Sequence, residues 1–348
     1  AKESIPILAK FDARQLANLA YAYALIEYAP KLDDGSALFD HIAERSIPQL
    51  GKFNCQDLSN TVWAFGKAQV SSPLLFEKVA NHIVALDQLS DFIPQNFSNT
   101  VWAFEKAGVS HPLLFKKVAD HVVGLDSLRP FNGQDISIIT LAFAKAKVSH
   151  PALFEKVANH IVALDSLRTI NGQDVANITL AYAKAEITHP ALFNKVANHI
   201  VELDNLGAFD PQAFSNTVWA FEKAGVSHPT LFEKIAGHIV SLDDLRSFDP
   251  QALSNIVLAY AKAGETHPGL FEKVANHIVE LDHLNDFNSQ SLTNTVWAFA
   301  KAGHSQPALF DKVATHILSL NSLHTFNSKN CSQVLWGYST AKIINVSF

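Results

Sequence analysis

A 39-residue period governs this sequence. Aromatic or aliphatic anchors stand at Phe11, Phe53, Phe92, Phe131, Ile170, Phe209, Phe248, Phe287 and Phe326, and from Phe53 onward every interval is 39 residues without an insertion. Phe11 to Phe53 is 42, the extra length lying in Lys31-Leu32-Asp33-Asp34-Gly35. The spacing reads 1–348 as a single array: a divergent first repeat (11–52), seven regular repeats (53–325) and a truncated last one (326–348). A chain of this length ordinarily divides into two or three globular domains. Self-similarity at a fixed period points instead to a stack in which each repeat buries its apolar face on its neighbours.

Each repeat reads as two helices. In the repeat anchored at Phe209, the first spans Gln212 to Ala224 and is stopped by Gly225, a residue suited to the left-handed position past a helix end. Pro229 suits the first position of the second helix, which runs to about Leu242. Apolar residues fall at helical spacing in both: Phe214, Val218 and Phe221 in the first, and Leu231, Phe232, Ile235, Ile239 and Leu242 in the second. Ala220 and Ala224 flank the first stripe and allow close approach of neighbouring helices. The sequence predicts an all-α fold, an αα-solenoid expected to wind as a right-handed superhelix.

Opposite the apolar stripe, the first helix carries a second face: Gln, Asn, Trp or Leu, and Lys at i, i+4, i+7 and i+11. The glutamine column is Gln56, Gln95, Gln134, Gln173, Gln212, Gln251 and Gln290. The asparagine column is Asn60, Asn99, Asn177, Asn216, Asn255 and Asn294, with Asn18 before them and Ile138 as the single break. The lysine column is Lys67, Lys106, Lys145, Lys184, Lys223, Lys262 and Lys301. The ring column reads Trp63, Trp102, Leu141, Leu180, Trp219, Leu258, Trp297 and Trp336. Two readings stand. A nucleic-acid strand lying along the array would meet amides at its base edges, rings for stacking and lysines at its phosphates. Alternatively the amides cap or bridge helices, and the exchange of Trp with Leu marks a packing slot. The residue after each Gln varies (Asp57, Asn96, Asp135, Asp174, Ala213, Ala252, Ser291). A reader of sequence needs such variable short side chains in a constant frame, and a drifting solvated helix start would look the same.

Composition limits the function classes. With 48% apolar and 17% charged residues the chain is globular, and with a net charge of −6 it is not a polycation, so nucleic-acid binding would need a local basic stripe. Two cysteines cannot make a disulfide framework, and no run of eighteen apolar residues offers a membrane span. The Ala-Lys-Glu-Ser start and the lack of any Met read as an excised or processed segment, so the absence of a targeting peptide carries little weight. Seven of the sixteen histidines form one column (His82 to His316) and five precede the turn proline (His111, His150, His189, His228, His267). Column members lie a repeat apart, too far to share a metal bound at about 2 Å. Motifs for phosphate loops, nucleophile elbows and zinc hydrolases are absent. No catalysis, cofactor or metal is expected. Arg129, Arg168 and Arg246, at one shared loop position, would extend a positive track.

The block Leu58-Ser59-Asn60-Thr61-Val62-Trp63-Ala64-Phe65, echoed at Phe97 to Phe104, resembles the octotricopeptide repeat, whose signature is Gln-x-Leu-Ala/Ser-Asn-x-x-Trp-Ala-x-Ala. Gln56, Leu58, Asn60, Trp63 and Ala64 match it, as do Gln212, Ser215, Asn216, Trp219 and Ala220; Leu141, Leu180 and Leu258 depart from it. Related helical repeats occur in FAST-kinase-like mitochondrial proteins. The resemblance implies sequence-selective binding of single-stranded RNA, about one base per repeat, by proteins of plastids or mitochondria that act on transcript maturation, stability or translation. Under that reading the first helices line a concave surface, with the Gln, Asn and Lys columns as RNA contacts and the residue after Gln as the specificity position. The rival is a protein-binding scaffold or a structural subunit whose ends stack on other subunits.

Overall fold

The computed structural model describes Leu8, residues 10–31 and residues 36–343. Most of the inserted segment in the first repeat and the apolar end of the last one (344–348) therefore lie outside the described residues. The chain divides between Asp165 and Ser166 into two compact units. The first holds α1 (Ala13–Leu25), α2 (Leu38–Ser46), a 3₁₀ helix (Ile47–Lys52), α3 (Cys55–Lys67), α4 (Pro73–Ala85), α5 (Pro94–Lys106), α6 (Pro112–Gly124), α7 (Gly133–Lys145) and α8 (Pro151–Ala163). The second holds α9 (Gly172–Lys184), α10 (Pro190–Glu202), α11 (Pro211–Ala224), α12 (Pro229–Ser241), α13 (Pro250–Ala263), α14 (Pro268–Glu280), α15 (Ser289–Lys301), α16 (Pro307–Ser319) and α17 (Ser328–Ala341). Odd-numbered helices are the first of each repeat and even-numbered ones the second. Within each unit every odd helix packs on the next odd helix, and the even helices pack on one another more sparingly. This is the αα-solenoid that the period predicts, with the odd helices as one layer and the even helices as the other within each unit.

Local chemistry starts and stops each helix. Except for α5, which follows Ile93, odd helices begin at an Asn or Asp one residue past the anchor: Asn54, Asn132 and Asp210, for example, accept from the backbone N–H of Asp57, Asp135 and Ala213 at 2.9, 2.8 and 2.7 Å. Most even helices begin with proline, preceded in five repeats by a histidine whose Nδ1 accepts from a backbone N–H at 3.1–3.2 Å: His111, His150, His189, His228 and His267. The odd helices end in a left-handed residue, and the next N–H closes the turn, as Val226 does on the Phe221 carbonyl at 3.0 Å.

Small residues let the odd helices approach: Ala64, Ala103, Ala142, Ala181, Ala220, Ala259 and Ala298 are all buried. Between repeats, an even-helix phenylalanine meets an aromatic ring of the next odd helix edge-on. Phe76–Phe104, Phe115–Phe143, Phe193–Phe221 and Phe232–Tyr260 have centroids 4.9–5.0 Å apart. A second tie runs between even helices, where Lys117 donates to the Leu86 carbonyl (2.6 Å), Lys273 to Leu242 (2.5 Å), Lys312 to Leu281 (2.5 Å) and Lys156 to Leu125. A lysine suits that place because the carbonyls ending a helix are unpaired and carry its negative dipole end. The His82-to-His316 column flanks the core, with His121 and His238 lying 5.1 and 5.3 Å from the rings of Phe97 and Phe214.

Candidate nucleic-acid interface

The four columns of the odd helices do form one partly accessible stripe in each unit. All seven glutamines are exposed. The asparagines are half-buried, except Asn294, which is buried. One amide bonds along the column: Asn216 donates to Asn177 Oδ1 at 3.4 Å. Trp63, Trp102, Trp219 and Trp297 are half-buried and Trp336 is exposed, and several rings of the column lie against one another. Tyr21–Trp63, Trp63–Trp102 and Trp297–Trp336 have centroids 5.0, 6.1 and 5.7 Å apart. Leu180 and Leu258 close the ring column as buried packing residues, while Leu141 is half-buried. The column is thus both packing slot and ring ladder.

Lys67 is half-buried, and the other six column lysines are exposed at the C-terminal ends of the odd helices. They are not equivalent. Lys67 is ion-paired to Glu27 at 2.5 Å, and that bond, with the lysine charge, holds the Glu27 carboxyl below its ordinary value. Lys223 lies 3.6 Å from Glu186, and Lys184 Nζ sits 5.2 Å from the centre of the Trp219 ring. Lys106, Lys145, Lys262 and Lys301 have no partner among the described residues.

The structure places the seven specificity candidates differently from the sequence reading. Asp57, Asn96, Asp135, Asp174, Ala213, Ala252 and Ser291 are 0–6% exposed. They occupy the third position of each odd helix, where the backbone N–H is taken by the capping residue. The polar ones bond inward. Asp57 Oδ2 accepts from the Asn54 N–H (3.2 Å), Asn96 donates to Ser59 Oγ (3.0 Å), and Asp135 Oδ1 accepts from Ser98 Oγ (3.0 Å). The glutamines do not cap; the Asn or Asp two before each one does, except before Gln95, where Ile93 has no capping side chain and its N–H donates to Asn96 Oδ1 at 3.1 Å. Of the loop arginines, Arg129, Arg168 and Arg246 are exposed beside the starts of odd helices, the end opposite the lysines. Among the described residues no three His, Cys, Asp or Glu side chains come together as a metal site, and no helix is long and apolar enough to cross a membrane.

A family model described as RNA-editing substrate-binding complex 6 protein matches residues 1–133 and 127–340. The chain belongs to this family. The family named is not the octotricopeptide one that the Gln-Asn-Trp blocks resemble. No curated protein matches the sequence. Among solved structures, a chain of a homology model of the full-length AP-3 complex in an intermediate open conformation is similar over 96% of this chain and 55% of its own length, at 11% identity and a TM-score of 0.42. This chain spans about half of that one, and a likeness at that level bears on neither function nor partners.

Apart from Gly225, one column beside the stripe escaped the sequence reading: the position that ends each odd helix. It carries Glu27, Gln69, Gly108, Lys147, Glu186, Gly225, Gly264, Gly303 and Lys342, all with φ between +52° and +75°. Glycine recurs there as the residue that stops the helix. What hid the column is that its other members differ in charge and share only a backbone conformation.

Proposed function

We propose that this chain is a non-catalytic subunit that holds single-stranded RNA along its odd helices, within an RNA-editing assembly of a mitochondrion or plastid. The observation that carries the reading is the repetition, on a partly accessible stripe of each unit, of an exposed amide, an asparagine, a tryptophan or leucine and a cation. Single-stranded RNA offers unstacked bases to amides and rings while its phosphates follow a row of lysines. The family's name supports an RNA setting. The net charge of −6 fits a local rail better than a general affinity for polyanions. With one base per repeat, the array spans roughly seven to nine nucleotides. Base contact falls to the exposed Gln column and the edges of the Asn column, because the following residue is buried.

The test is selection from a randomised single-stranded RNA pool at two salt concentrations, with DNA and duplex controls. Enrichment of a short motif is expected. Replacing Lys106, Lys145, Lys262 and Lys301 together by alanine is expected to flatten the salt dependence by about 0.7 in slope per lysine removed. Failure to enrich any RNA at low salt overturns the reading and leaves a scaffold for protein partners as the better account.

A further inference from the structure

From α1 to α13, the residue that ends each odd helix stands one repeat before a rail lysine. Glu27 precedes Lys67 by one repeat, and Glu186 precedes Lys223 in the same way; in both places the carboxylate lies against the lysine, at 2.5 and 3.6 Å. Where that position is Gly225 or Gly264, there is no side chain to do this, and the following lysines, Lys262 and Lys301, have no partner among the described residues. The juxtaposition holds at the glycine as well: Gly225 and Lys262 line one groove of about 230 Å³ at the ends of α11 and α13. Glu222 and Glu265 also line it without pairing to Lys262.

We infer that the helix-ending column is a charge selector for single-stranded RNA, each glutamate there closing the next repeat's lysine to phosphate and each glycine leaving it open. This rests on the reading of the stripe as an RNA surface. A carboxylate 3.6 Å from a lysine offsets its charge and repels an incoming phosphate, so an exposed pair that adds little to stability still gates anion binding. Left-handed backbone disfavours every residue but glycine, yet Glu27 and Glu186 stand in it at φ +52° and +57°. A side chain kept in a conformation that costs energy marks a position where the side chain matters. The strand is therefore gripped at selected repeats and passes the gated ones without a phosphate contact.

Gly225→Glu closes an open site, and Gly225→Gln is its neutral control. A Cβ at Gly225 meets nothing within 4 Å, and φ there is +66°, close to the values that Glu186 and Gln69 adopt. Both variants are therefore expected to fold with the same backbone cost. The assay is fluorescence anisotropy of a labelled single-stranded 30-nucleotide RNA of random sequence against the full chain, across a salt series. Gly225→Glu is expected to bind about threefold more weakly than Gly225→Gln and with a salt slope shallower by about 0.7. Glu186→Gln is expected to tighten binding and steepen the slope by the same amount. Equal binding by Gly225→Glu and Gly225→Gln, with the unsubstituted chain binding normally, overturns the selector and leaves the RNA surface standing. No binding by any form, the unsubstituted chain included, overturns the RNA surface and the selector with it.

Discussion

The edge-on aromatic pair between α6 and α7 is where the array can be cut with the clearest consequence. Phe115 is fully buried, and its ring meets Phe143 at 4.9 Å and 73°. Removing a phenylalanine from a packed core costs about 3–5 kcal/mol. About 0.5–1.5 kcal/mol of that belongs to the ring pair itself. A unit of this size has about 5–15 kcal/mol in all, so Phe115→Ala removes about a fifth or more. Phe115→Leu keeps most of the apolar volume and is expected to lose about 1–2 kcal/mol. Because each repeat is held only by its neighbours, the loss falls on one interface rather than on the whole chain. Urea unfolding followed by far-ultraviolet circular dichroism measures the cost, and hydrogen exchange resolved by peptide locates it. The expected result is loss of protection concentrated in α6 and α7, with a coupling near 1 kcal/mol in the Phe115→Ala/Phe143→Ala double-mutant cycle. Protection falling evenly along the chain, or a coupling near zero, refutes the argument that these rings tie one repeat to the next.

Acid is expected to destabilise the chain: burial holds the imidazoles of His121, His160, His199, His238, His277 and His316 below the ordinary histidine value. The unfolded chain then takes up protons that the folded one refuses, so stability is intact above about pH 6.5 and falls with pH below it; a melting temperature that rises from pH 7 to pH 5 contradicts this. His228→Ala removes the Nδ1 acceptor that caps α12 and should cost about 1 kcal/mol in a urea melt, but no fold, since Ser72 and Gln306 stand at the same place without a side-chain cap. Tyr260→Phe deletes the hydroxyl donated to the Phe232 carbonyl at 2.6 Å. Phe stands at that position in α11 and α15, so a cost of about 0.5–1.5 kcal/mol with unchanged helicity is expected, and loss of fold is the contrary result.

The period, the helix pairs and the apolar core were legible in the sequence because each rests on spacing alone. The repeat at Phe209 was read as helices at 212–224 and 229–242, and the structure has Pro211–Ala224 and Pro229–Ser241. Burial within a polar column was not legible. Gln212 and Ala213 are adjacent at a helix start, and only packing against the neighbouring repeat makes one exposed and the other 0% exposed. The staple formed by Lys117, Lys156, Lys273 and Lys312 was invisible for a similar reason. Its acceptors are backbone carbonyls 31 residues earlier, which no residue pattern marks. The pairing of Lys223 with Glu186 joins residues 37 apart, a separation set by the stacking of one helix end on another.

Constancy within an array therefore has two sources that must be separated by exposure. The alanine column is constant because a larger side chain would push the odd helices apart, and it is buried throughout. The glutamine column is constant although its side chains are exposed and cap nothing, so packing does not explain it. The same reasoning sorts the variable columns. The residue after each glutamine varies among Asp, Asn, Ser and Ala because any short side chain fits a buried third position, and a capping Asn or Asp, or the Ile93 carbonyl in α5, satisfies the N–H. The helix-ending column varies in charge where left-handed backbone makes glycine the cheapest choice. Neither packing nor propensity accounts for glutamate and lysine in those places. An exposed position that departs from its conformational optimum toward charge, beside a row of lysines, is therefore where the charge-selector substitutions are aimed.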